Sequence, residues 1–120
     1  MREILFRGKR TMNEEWVEGY YSKYSYELGQ GDFICGADFD YTVYPDSVGQ
    51  YTEKTDKNGE GIFEGDIVVY RGDEYGVIEY DAESARFCVT FDTWSTDFDH
   101  LYGKELEIIG NIHDSPELLK

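Results

Sequence analysis

The chain is predicted to be all-β, and three observations predict it. Aromatic residues make up 17% of the 120 positions, with 11 Tyr and 13 Gly but only 2 Pro; aromatic and β-branched side chains suit a half-buried pleated surface. Apolar residues fall in short or alternating runs, and none keeps a helical period beyond about two turns. Gly-, Asp- and Asn-containing turn signals separate those runs. The length fits one domain and is enough to bury a core without disulfides or a metal.

The elements follow in order. "REILFRGKR" gives a first strand, Glu3 to Arg7, ending at Gly8. "EEWVEGYYSKYSYEL" gives one or two strands, with Trp16 and Val17 leading and a Tyr cluster following. "GQGDFICGADFDYTVYP" gives a run from Asp32 to Cys35 and another from Asp40 to Tyr44. Pro45 ends the second because it has no amide donor. "PDSVGQY" reads as one helical or 3₁₀ turn, opened by Pro45 and Asp46 and closed by Gly49. Asn58-Gly59 in "DKNGEG" predicts a type I′ hairpin turn.

Three closely spaced strands come next: Ile67 to Arg71, Tyr75 to Tyr80 and Arg86 to Phe91, joined by "RGDE" and "DAES". In the third, Phe87, Val89 and Phe91 alternate with Arg86, Cys88 and Thr90, the period of a sheet with one face on a core. "KELEIIGNI" alternates Leu106 and Ile108 with Glu105 and Glu107. In "HDSPELLK", Asp114 or Ser115 can cap a short helix with Pro116 in its first turn and Glu117 at its positive end. Four or five short strands between Ile62 and Ile112 predict a small SH3-like C-terminal barrel, which suppresses open edges. Gly65-Asp66 turns the chain into its first strand. The expected organisation is a single domain over 1–120: an N-terminal β region at 1–50, a barrel at 60–112 and a short helix at 114–119.

Charge bounds the partners. There are 26 acids against 11 bases, a net charge of -15. Residues 1–30 carry five of each, so the whole excess lies in residues 31–120. Such a surface repels phosphates, which disfavours direct nucleic-acid binding. It attracts basic partners and raises their on-rates; it also keeps a small β protein soluble.

No catalytic constellation emerges. "DKNGEGIFEGD" places Gly61 at the sixth position of a calcium loop, but Ile67 stands where the bidentate Glu is needed. "DTWSTDFDHLY" gathers Asp92, Asp97, Asp99 and His100, which read as a solvated acidic strand or loop rather than a metal centre. His100 and His113 are the only histidines, and neither accompanies a nucleophile elbow or a phosphate loop. Cys35 and Cys88 fit no metal or redox spacing and read as small buried hydrophobes with reduced thiols. No cofactor and no metal are expected. The charged start lacks an apolar h-region and no run is long enough to span a membrane, so a cytoplasmic location is expected.

The Tyr set is the most informative feature. Tyr20, Tyr21, Tyr24, Tyr26, Tyr41 and Tyr44, with Phe39, crowd the first half. They suit a protein interface or a small β core with hydroxyls at its rim, and both readings stay open.

Val48-Gly49-Gln50-Tyr51-Thr52, then Asp56-Lys57-Asn58-Gly59, then Ile62-Phe63-Glu64-Gly65-Asp66-Ile67-Val68 resemble the YopX family of small phage and prophage proteins. "EWVEGYY" near the start and "LEIIGNIHDSPELL" at the end are similar to that family's termini, so the resemblance covers essentially the whole chain. It implies a mostly β protein in the cytoplasm of a phage-carrying bacterium and brings no catalytic or binding residues. The expected function is that of a non-enzymatic accessory protein acting through protein–protein contacts or self-assembly, as a homo-oligomer or with a basic partner. The alternative is an acidic nucleic-acid mimic that occupies a basic groove. A lesser alternative is an enzyme or a direct nucleic-acid binder.

Overall fold

The computed structural model describes residues 5–36, 39–98 and 105–119. It is mainly β, with antiparallel pairing throughout the described strands, and divides into two compact units, Met1–Tyr51 and Thr52–Lys120.

The first unit holds β1 (Phe6–Lys9), β2 (Trp16–Ser25), β3 (Gly29–Cys35), β4 (Asp40–Thr42) and the start of β5 (Gly49–Thr55). Their order is β4-β3-β2-β1-β5. Phe6 pairs with Gly19 on one side and Gln50 on the other, Tyr21 pairs with Ile34, and Phe33 pairs with Thr42. Phe33, Ile34 and Val43 are buried. Two glycines permit that packing. A Cβ at Gly19 would lie 2.4 Å from the Cys35 carbonyl oxygen, and one at Gly8 would lie 3.0 Å from Ile34 and Val43. The 3₁₀ turn forms at Pro45–Ser47, as Pro45 and Asp46 predict. The Ser47 hydroxyl accepts from the Lys9 amide at 2.8 Å and donates to the Tyr44 carbonyl at 2.6 Å.

Several boundaries differ from the expectation. The first strand starts at Phe6 and runs past Gly8 to Lys9, while Glu3 and Ile4 lie outside the described residues. The strand expected over Asp40 to Tyr44 stops at Thr42, and Val43 forms an isolated bridge with Arg10. β5 was hidden in sequence because "GQYTEKT" is polar and has little apolar alternation.

The second half of β5 neighbours β6 (Gly61–Phe63) in the second unit, where the Thr52 hydroxyl donates to the Ile62 carbonyl at 2.7 Å. The hairpin between them is not type I′. That turn needs positive φ at both central residues, and of Asn58 and Gly59 only Gly59 has it, at 82°. The Asp56 carboxylate accepts from the Asn58 and Glu60 amides at 2.9 and 3.0 Å, an Asx-turn that holds the loop in its other form.

A five-stranded sheet fills the rest of this unit: β7 (Asp66–Tyr70), β8 (Glu74–Asp81), β9 (Arg86–Phe91), β10 (Ser95–Asp97) and β11 (Leu106–Asn111). The order is β10-β9-β8-β7-β11. Its core gathers Ile62, Val68, Tyr70, Ile78, Val89, Phe91, Phe98 and Leu106. All of β7 is buried, which matches its unbroken apolar run "IVVY". Gly65 turns the chain into β7 with φ 93°, and the buried Asp66 carboxylate fixes the turn by accepting from the Phe63 amide at 2.8 Å. The expected alternation of Leu106 and Ile108 is interrupted by a register shift between Ile108 and Gly110. The helix expected at 114–119 is one 3₁₀ turn, Pro116–Leu119. Asn111 organises the approach: its side-chain oxygen accepts from the His113 and Asp114 amides at 3.0 and 2.9 Å.

Candidate interaction surfaces

The Tyr set divides into two groups. Tyr20, Tyr24, Tyr26 and Tyr44 are exposed, Tyr26 to 95%. Tyr24 and Tyr26 meet edge to face at 5.8 Å, and exposed Leu28 follows them on the β2–β3 hairpin. Tyr20 and Tyr24 lie on the exposed side of β2, whose pairing with β3 shifts register between Ser22 and Tyr24, and Tyr26 lies in the turn beyond it.

Tyr21 and Tyr41 are half-buried and engaged. The Tyr21 hydroxyl donates to Asp32, which also accepts from Lys23 Nζ at 2.7 Å, and its ring lies 5.8 Å from Phe6. The Lys23 hydrogen bond, then that of Tyr21, holds the Asp32 carboxyl below the usual carboxylate range. The same contact with Asp32 raises the Lys23 ammonium. The Arg10 guanidinium covers Tyr41 at 4.6 Å, with Phe39 at 6.2 Å on the same ring. These two tyrosines pack the first unit, and the other four face solvent.

The second unit carries a cleft of about 690 Å³ that the Tyr pattern gave no hint of. Its floor includes Val77, Phe91 and Leu118, and Trp94 forms a wall. Trp94 stacks on Phe91 at 4.5 Å with an interplanar angle of 19°, and its indole N–H donates to Glu74 at 3.0 Å. The indole is nevertheless 40% exposed. The turn before β10 places it, with the Phe91 amide donating to the Trp94 carbonyl at 2.8 Å. In sequence Trp94 lies inside the acidic run "DTWSTDFDHLY". A lone Trp between turn residues was the available signal.

The acidic residues of that run do not converge. Asp97 pairs with Arg86 at 2.6 Å, Asp92 is exposed at the cleft, and Asp99 and His100 lie outside the described residues. Among the described residues no group of three or more His, Cys, Asp or Glu is placed to hold a metal ion. Asp56, the first residue of the calcium-like stretch, spends its carboxylate on the Asn58, Glu60 and Ile108 amides. Cys35 and Cys88 are both free and half-buried. Burial, then Asp40, pushes the Cys35 thiol up; burial pushes Cys88 up against the opposing hydrogen bond from Thr90. A raised thiol is a poor nucleophile at neutral pH.

The YopX protein family matches residues 5–120, nearly the full length. The chain belongs to the YopX family. Among solved structures, the crystal structure of protein EF1440 from Enterococcus faecalis is similar to this YopX chain, with a TM-score of 0.63 and 24% identity over 100% of both chains. At that identity the likeness establishes a shared fold alone. No curated protein matches the chain significantly. Among the described residues no helix is long and apolar enough to cross a membrane.

Proposed function

We propose that this YopX-family chain is a non-enzymatic phage or prophage accessory protein of the bacterial cytoplasm that works through protein–protein contacts, including contacts with itself. The observation that carries the reading is the exposed cluster of Tyr20, Tyr24 and Tyr26 with Leu28 on one β-hairpin. Aromatic rings left in water on a paired, ordered hairpin are the residues that binding surfaces use as anchors. The strand order β10-β9-β8-β7-β11 supports reading the second unit as a small SH3-like barrel, a rigid carrier for such surfaces. The test is the solution mass of the purified chain together with capture from a bacterial lysate. Replacing Tyr24 and Tyr26 by Ser is expected to reduce the oligomer or the captured partner while the circular dichroism stays unchanged. Retention of both by the variant overturns the reading.

The charge favours a second reading, a nucleic-acid mimic. The net charge of -15 arises entirely in residues 31–120. A partner with a basic groove would then release steeply as salt rises. Capture that ignores salt counts against it.

A further inference from the structure

We infer that the cleft walled by Trp94 is a docking site for a short basic segment of a partner protein, one that alternates arginine or lysine with apolar residues. The inference rests on the reading that the chain works through protein contacts, and it places one of those contacts on the second unit. Two properties of the cleft point to this occupant. Its floor is apolar and aromatic, from Val77, Phe91 and Leu118, and its Trp94 wall keeps 40% of its surface exposed. Its rim carries Asp73, Glu74 and Asp92, with no Lys or Arg among the described residues that line it.

An apolar occupant alone would cover the floor but leave three rim carboxylates facing it. A basic segment satisfies both. Its apolar side chains cover Phe91 and Leu118, while its cations meet the carboxylates and the indole face. Glu74 has two roles, since one of its oxygens already holds the Trp94 indole N–H at 3.0 Å. That hydrogen bond fixes the ring before any partner arrives, which lowers the ordering cost of binding. The cleft volume of about 690 Å³ accommodates a few side chains rather than a folded domain.

The probe is a short synthetic peptide alternating arginine and leucine, with its citrulline counterpart as the neutral control. The full chain carrying Trp16→Phe leaves Trp94 as its single indole. The arginine peptide is expected to change Trp94 fluorescence saturably, and the citrulline peptide to bind at least several-fold more weakly. Neutralising the rim together, as Asp73→Asn, Glu74→Gln and Asp92→Asn, is expected to weaken binding about tenfold, as three exposed ion pairs each worth a factor of two to three would give. Because the triple change could disturb the indole, Thr93→Arg is the second variant. Thr93 is an exposed cleft residue, and its replacement is expected to abolish the fluorescence response with no change in the thermal transition.

An absent response, equal binding of both peptides, or binding indifferent to Thr93→Arg overturns the site. If the site fails while the tyrosine hairpin still captures a partner or a second copy, the protein-contact reading stands without this cleft. If the peptide binds as expected while the hairpin variant keeps its oligomer and partner, the cleft stands and the hairpin is not the contact.

Discussion

The carboxylate of Asp56 accepts a hydrogen bond from the backbone amide of Ile108, 52 residues further along the chain, at 3.0 Å. The same side chain serves the Asn58 and Glu60 amides, and the Lys57 amide donates to the Leu106 carbonyl at 2.9 Å. The turn after β5 therefore covers the free edge of β11, whose other side pairs with β7. An edge amide that would invite another strand is occupied by a carboxylate instead. The dense turn chemistry of "DKNGEG" is structural: it closes a hairpin and seals a sheet edge.

Asp56→Ala strands three amides, one of them on β11, and is expected to cost about 2–3 kcal/mol. Asp56→Asn keeps the shape and one acceptor oxygen and is expected to cost less. Burial raises the Asp56 pKa, but the Ile108, Glu60 and Asn58 amides and then Lys57 outweigh it, so the net shift is downward. A folded pKa below the unfolded one gives stability that is fully present above the ordinary carboxylate value, about 3.9, and is lost as pH falls from there through the folded pKa. Urea midpoints of the native chain and Asp56→Asn, taken from pH 7 down to pH 3, check this. The gap between the two curves is expected to narrow as pH falls below the ordinary carboxylate value, and a constant gap refutes the assignment.

Gly76 is required by close packing rather than by backbone conformation. It lies between Val68 on β7 and Phe91 on β9, and a Cβ there would sit 2.8 Å from Val89 and 2.9 Å from Phe91. Gly76→Ala forces those core side chains aside and is expected to cost about 1–3 kcal/mol. Gly59 is the contrast: a Cβ there meets nothing within 4 Å, but φ is 82°. Gly59→Ala is expected to cost about 1 kcal/mol from backbone strain alone. Thermal melts of the two variants separate the mechanisms, because a core disturbance at Gly76 also changes the near-ultraviolet signal of Phe91 and Trp94. An unchanged near-ultraviolet spectrum in Gly76→Ala would contradict the packing account.

The parts of the fold legible in sequence were those whose burial follows a simple period. β9 alternates cleanly, and its observed span, Arg86–Phe91, is the expected one. β7 shows as an apolar run, and the 3₁₀ turn at Pro45–Ser47 announces itself through Pro45. β5 did not show, since its register comes from pairing with β1 and β6 rather than from its own polar side chains. The Asn58-Gly59 dipeptide alone points to type I′, but the carboxylate two residues upstream sets the turn. The Tyr cluster was visible as composition. Its division into exposed and engaged members depends on partners distant in sequence, such as Asp32 for Tyr21 and Arg10 for Tyr41. The Trp94 cleft needs three separate segments brought together, which no local pattern encodes.

Ser47 is a buried hydroxyl that ties the 3₁₀ turn to β1. Ser47→Ala leaves the Lys9 amide without that acceptor and is expected to cost about 1–3 kcal/mol. Ser47→Thr keeps the hydroxyl and is expected to recover most of the loss. Amide exchange at Lys9 is the direct readout: protection should fall in the Ala variant and return in the Thr variant. Equal protection in all three chains would show that the hydroxyl is dispensable.

The thiols report burial in each unit separately. Cys35 lies on β3 and Cys88 on β9, both half-buried and both raised chiefly by desolvation. Because the thiolate is the reacting form, alkylation of the folded chain is expected to be slow at pH 8 and to keep accelerating beyond the ordinary thiol value of about 8.5. The unfolded chain should react fast and level off near that value. A folded pKa above the unfolded one means that the associated stability is intact below the ordinary thiol value and is lost as pH rises through the folded pKa. Iodoacetamide labelling followed by mass spectrometry, across pH 7 to 10 and with each of Cys35→Ser and Cys88→Ser, resolves the two sites. Labelling of the folded protein as fast as that of the unfolded chain at pH 8 would show that neither thiol is shielded, and that the half-burial of β3 and β9 does not hold in solution.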